Sequence, residues 1–191
     1  MSQEAYKAAK RRMSEAPEFW ANVFSGKGID LGCGCAPIGL EHYPKITQNF
    51  AWDKVLNSRH DVSSLPFDDK EFNWAHASHV LEHVENPIAT CNEWMRVLTP
   101  GGWLVITVPD FNLYERDQWP SRFNPDHKST WSIEMAKSLI AILSVNWDVL
   151  ESDVKLLDAG FNPDLPNHID QTRPPYNAEC AVEIIIRKGH G

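Results

Sequence analysis

Gly32-Cys33-Gly34 follows the short apolar run Gly28-Ile29-Asp30-Leu31, and Asp53 closes a second such run, Phe50-Ala51-Trp52-Asp53. A strand that ends in a Gly-x-Gly turn lets a ligand approach bare backbone, because glycine accepts unusual dihedrals and carries no side chain. A carboxylate at the end of the next strand, roughly 20 residues on, is where a βαβ nucleotide site binds ribose hydroxyls. Paired glycines also occur in ordinary turns, and a strand-end carboxylate also caps helices. The order of the two features is what favours a ligand site.

More polar chemistry lies downstream. Ser78-His79-Val80-Leu81-Glu82-His83 follows an apolar run, and Asn124-Pro125-Asp126-His127-Lys128 forms a polar loop. Imidazole is the best proton acceptor near neutral pH, so His79 and His127 are the candidate catalytic residues, with Asp110 beside them at the end of a further strand. Trp119 and Trp131 flank the polar loop and are expected near a bound substrate, whereas Trp52, Trp74, Trp94 and Trp103 read as core. Capping and packing of the next helix is the expectation for Glu82 and His83, and no metal site is assigned.

These residues need a scaffold, and the patterning supplies one. Strands are predicted at 28–31, 49–53, 72–77, 103–108 and 180–187. Helices are predicted over 2–24 with a break at Pro17, over 87–98 with Ile88, Cys91, Trp94, Met95 and Leu98 inward, and over 132–145 capped by Ser132. Alternation of this kind indicates a doubly wound α/β sheet whose ligands bind outside the carboxyl ends of the strands. Too few residues separate Asp53 from Asp61 for a crossover helix, so a loop is expected there.

At 191 residues, with 42% hydrophobic and 23% charged residues, the sequence fits a single domain, with 1–24 as a helical segment and 25–191 as the sheet core. A formal net charge of -8 argues against sequence-independent nucleic-acid binding. The one basic cluster, Lys7, Lys10, Arg11 and Arg12, reads as a solvated helix face. No apolar run reaches membrane-spanning length, no secretory signal is evident, and a cytoplasmic location is expected. The four cysteines lack a Cys-x-x-Cys pair and read as reduced loop or core residues. The sequence leaves the oligomeric state open.

Two cofactor classes suit this topology. A dinucleotide site wants a third glycine three residues beyond Gly34, and Pro37 stands there; Asp30, just before the loop, would repel phosphate and suits a cationic ligand. At this point the chain resembles the class I S-adenosylmethionine-dependent methyltransferases over residues 27–110. The resemblance rests on Ile29-Asp30-Leu31-Gly32-Cys33-Gly34, Asp53, Asp61-Val62 with Leu65-Pro66-Phe67-Asp68, Ala77 to Val84, and Arg96-Val97-Leu98-Thr99-Pro100-Gly101-Gly102. The shortened second crossover and the two His-bearing runs are similar to the small methyltransferase-11-type proteins.

The resemblance implies a Rossmann-like, seven-stranded, mostly parallel sheet with an antiparallel last strand. It implies S-adenosylmethionine as cofactor and methyl transfer to a small-molecule or saccharide acceptor. Asp30, Gly32, Cys33 and Gly34 would surround the methionine moiety, Asp53 the ribose, and Asp61 with Val62 the adenine, while Ser78 and His79 would contact the cofactor beyond the fourth strand. Pro37 would stand in the first turn of the next helix. Glu82-His83 resembles an acid–His pair that binds a divalent cation in some relatives. A cofactor-binding or scaffold protein without catalysis is the alternative.

Overall fold

Alternate residues of the central runs go to opposite sides of one sheet, as a side-chain period of two requires. The computed structural model describes residues 3–190, with side chains from residue 6 onward. Its strands are β1 (Gly26–Leu31), β2 (Ile46–Trp52), β3 (Phe72–Ser78), β4 (Leu98–Pro109), β5 (Val149–Leu157) and β6 (Ala181–Lys188), in the order β2-β1-β3-β4-β6-β5. The first four are parallel, and β6 lies antiparallel between β4 and β5.

The expected class is therefore the observed one, an α/β sheet with a reversed last strand. The count differs: the described residues form six strands rather than seven. Residues 53–71, where a further edge strand would pair, make turns instead. Indole N–H groups hold them, with Trp52 donating to the Asp61 carbonyl at 3.0 Å and Trp94 to the Val62 carbonyl at 2.8 Å. No helix follows Pro37 either, because residues 32–45 are turns and extended chain. Both connections around β2 are loops.

Helices α1 (Gln3–Glu15) and α2 (Pro17–Val23) cover one face; α3 (Pro87–Arg96) and α4 (Ile133–Asn146) cover the other. Asn86 and Ser132 cap the latter pair through amides of Ala89 and Met135. Cys91, Trp94 and Met95 of α3 are buried as expected, but Ile88 is exposed and Leu98 already belongs to β4. The expected core tryptophans, Trp52, Trp74, Trp94 and Trp103, are all buried.

The α1 side of the sheet holds a stripe of buried polar groups. Register sets Asp30 beside His76 and Thr107 beside Glu183. Arg12 reaches down from α1 onto that stripe, which corrects the reading of its cluster as a solvated face: its side chain is 1% exposed and donates to Glu183 at 2.5 and 2.8 Å. It also lies 3.3 Å from the Thr107 hydroxyl and 3.4 Å from His76 Nε2. Arg11 adds 3.0 Å to the same carboxylate. A buried carboxylate demands such partners, and the periodicity of α1 alone does not reveal where they lie.

Candidate functional site

Two cavities open at the carboxyl ends of the parallel strands. The larger, about 560 Å³, is walled by Gly32, Asp53, His60, Asp61, Val62 and Val80, among others. The smaller, about 210 Å³, is walled by Ser78, Glu82, Thr107, Tyr114, His127 and Thr172, among others. His79 and His83 line both.

The glycine loop is braced from beneath and from the side. Gly32 has φ +64, and a Cβ there would stand 2.2 Å from Val80 Cγ2, so only glycine fits. Asp30 is buried and does not line the cavity. One of its oxygens accepts from the Ile38 amide at 2.8 Å and the other stands 2.7 Å from His76 Nδ1, so it braces the loop. Gly34, at φ +58, has open space where a Cβ would be. Its amide donates to Asp53 at 2.8 Å, and Asp53 also accepts from the Val55 amide at 2.7 Å. Cys33, between the glycines, has its thiol pushed up to about 12 by burial and by the carboxylates of Asp30 and Asp53, which leaves it unreactive.

The adenine-side expectation falls on a wall with an aromatic floor. Asp61 accepts from the Ser63 amide at 2.9 Å, with Lys54 at 3.9 Å from its other oxygen. Nearby, His60 stacks on Trp52 at 3.8 Å between ring centres, and its Nδ1 is buried with no hydrogen-bond partner among the described residues. Sequence reasoning passed over His60, which no motif marks. The residues present fit an adenosine-bearing ligand: the space is adequate, carboxylates face it, and a ring nitrogen is left to be satisfied.

His79 stands where the cavities meet. Its φ of +57 is uncommon for a residue with a Cβ, and its amide bonds to the Thr107 carbonyl at 2.8 Å. Ser78, expected on the cofactor side, lines the smaller cavity instead. That cavity also receives His127, whose Nδ1 lies 2.9 Å from Glu115 Oε1, with both side chains nearly fully buried. Glu115 went unnoticed in the sequence because it lies in a loop with no periodic pattern. Tyr114 is pushed up by burial, then by Asp170 and Glu115, so its phenol stays protonated.

Other expectations find no place here. Asp110 does not line either cavity; one oxygen accepts from the amides of Asn112 and Leu113 at 2.9 Å each, anchoring a turn, and burial pushes its carboxyl above the usual carboxylate range. Trp131 is buried in the core and Trp119 is an exposed surface residue; neither lines either cavity. Glu82, His83 and His127 bring one donor atom each within 4.8 Å of one another.

Glycine turn, strand-end acids and a pair of adjoining cavities on a largely parallel sheet define the class I S-adenosylmethionine-dependent methyltransferase fold. The chain belongs to the methyltransferase domain family, whose model matches residues 5–152. S-adenosylmethionine is the cofactor of that class.

A SAM-dependent methyltransferase structure from Archaeoglobus fulgidus superposes with a TM-score of 0.61 at 15% identity, over 95% of this chain and 94% of that one. The biotin biosynthesis bifunctional protein BioHC of Teredinibacter turnerae is 26% identical over 159 residues, 68% of this chain and 28% of that protein. An uncharacterized protein in transposon Tn4556 of Streptomyces fradiae is 40% identical over 92 residues, 48% of this chain and 26% of its own length. The chain thus spans only about a quarter of these two relatives. No helix among the described residues is long and apolar enough to cross a membrane.

Proposed function

We propose that this chain transfers a methyl group from S-adenosylmethionine, held in the larger cavity, to an oxygen or nitrogen of a small-molecule or saccharide acceptor held in the smaller one. The observation that carries this reading is the wall of His79 and His83 common to both spaces. Bound there, S-adenosylmethionine supplies an electrophilic methyl on a good leaving group, so that positioning the acceptor supplies most of the rate enhancement.

In this reading Gly32, Cys33 and Gly34 offer backbone to the methionine end, while Asp30 holds their loop from beneath. Asp53 keeps lone pairs beyond those used by Gly34 and Val55, enough to accept ribose hydroxyls. Asp61 and Val62 border the adenine. His79 and His127 meet the acceptor's polar group, with Glu115 fixing the imidazole of His127; Asp110 serves the turn. Cys33, Cys35 and Cys91 form no disulfide, which agrees with a reducing, cytoplasmic setting.

An acceptor screen read by release of S-adenosylhomocysteine tests the proposal. Turnover is expected with a small polar acceptor, and His127→Ala should lower it while leaving cofactor affinity unchanged. Cofactor binding without release for any acceptor would favour the non-catalytic alternative.

A further inference from the structure

The smaller cavity contains a charge arrangement that methyl transfer alone does not explain. Glu82 lies in the short 3-10 turn Leu81–His83 with its side chain 1% exposed, and neither carboxylate oxygen has a hydrogen-bond partner among the described residues. An uncompensated buried carboxylate is costly, and a fold that retains one has a use for it. Three imidazoles face it: His79 Nδ1 stands 3.5 Å, His83 Nε2 3.9 Å and His127 Nε2 4.0 Å from Glu82 Oε1.

In His83 and His127 the opposite nitrogen is already engaged by an acceptor. His127 Nδ1 lies 2.9 Å from Glu115 Oε1, and His83 Nδ1 lies 3.2 Å from the Asp126 carbonyl. Acceptors at both Nδ1 atoms place the hydrogens there and leave both Nε2 lone pairs directed to the same space. This is the outer support that metal-ligating histidines use, since it fixes the tautomer and raises basicity. Backbone bonds hold the three donors in place: the Glu82 carbonyl accepts from the amides of Lys128 and Ser129 at 2.7 and 3.2 Å, pinning the His127 loop over the turn.

We propose that Glu82, His83 and His127 bind a first-row divalent transition-metal ion, with Glu115 and the Asp126 carbonyl as outer supports. Two imidazoles and one carboxylate suit such an ion better than magnesium or calcium, which take oxygen ligands. Ligand bonds of about 2.1 Å place tetrahedral donors roughly 3.4 Å apart, so each Glu82–His pair needs to draw in by about half an ångström and the His83–His127 pair, within 4.8 Å, by up to about 1.4 Å. With three protein ligands, the remaining coordination faces the cavity and would take an oxygen of the acceptor. This last role rests on the proposed methyl transfer; ion binding does not.

Cobalt(II) titrated into the metal-stripped 191-residue chain tests the proposal, read by visible absorption and equilibrium dialysis. One ion per chain is expected, with nitrogen and oxygen ligation and no thiolate charge-transfer band. Glu82→Gln and His83→Asn should each weaken binding more than 100-fold, Glu115→Gln about 10- to 100-fold, and Cys33→Ser with Cys35→Ser not at all. Circular dichroism of each variant confirms that it folds. No saturable binding, binding indifferent to Glu82→Gln in a folded variant, or a thiolate band lost with the cysteines would overturn the site. Calorimetry with S-adenosylmethionine on the same samples separates the two readings: cobalt binding without cofactor binding would remove the methyl transfer and leave the metal site standing.

Discussion

Two clusters of buried charge lie on this sheet, one beneath the glycine loop and one in the smaller cavity, and they are built to opposite rules. In the first, Glu183 receives Arg12 and Arg11, and Asp30 is shared between His76 and the Ile38 amide. In the second, both Glu82 oxygens and one Glu115 oxygen go without a hydrogen-bond partner among the described residues. Burial is nearly the same, so satisfaction is what separates them: partnered charge joins α1 to the sheet, while carboxylate oxygens in the cavity are left without hydrogen bonds among the described residues.

Breaking the partnered cluster should have the largest effect. Arg12→Leu leaves Glu183 buried and poorly compensated, and is expected to cost about 3–5 kcal/mol in chemical denaturation. A loss below about 1 kcal/mol would mean that Arg11 suffices to hold the carboxylate. On the ligand side of that cluster, Asp53→Ala should weaken S-adenosylmethionine binding by about 1–3 kcal/mol with little change in stability. Unchanged affinity in a folded variant would remove Asp53 from the site.

The pH response sharpens the contrast further. Burial works against ionised Glu183, but Arg12 and Arg11 outweigh it and hold the group below the usual carboxylate range. Its contribution is therefore complete above the unfolded value of about 4.3 and lost as pH falls through the depressed folded value. Acid denaturation of wild type should show that loss, and Glu183→Gln should flatten it. The smallest stability effect is expected for Glu82→Gln, within about 0.5 kcal/mol of wild type or stabilising in metal-free protein, because no hydrogen bond is removed. A destabilisation like that of Arg12→Leu would erase the distinction between the clusters.

What could be read from the sequence tracks how local the cause was. Gly32, Gly34 and Asp53 fall where strand ends and spacing put them, since a turn and the next strand suffice to bring them together. Helices α3 and α4 announced themselves through caps and apolar stripes. β5 did not: an edge strand exposed along most of its length shows no buried alternation. Arg12 and Glu183 are 171 positions apart, and Glu115 meets His127 through a loop that no period describes. The missing helix after Pro37 belongs with these, because Asp30 spends an oxygen on the Ile38 amide and pins the chain in an extended path.

The central claim is that the glycine loop with Asp53 and Asp61 forms an S-adenosylmethionine site. Parallel calorimetric titrations of S-adenosylmethionine and of NAD into the full chain test it most directly. One S-adenosylmethionine per chain, with no response to NAD, is the predicted result; binding of NAD with no response to S-adenosylmethionine would contradict it.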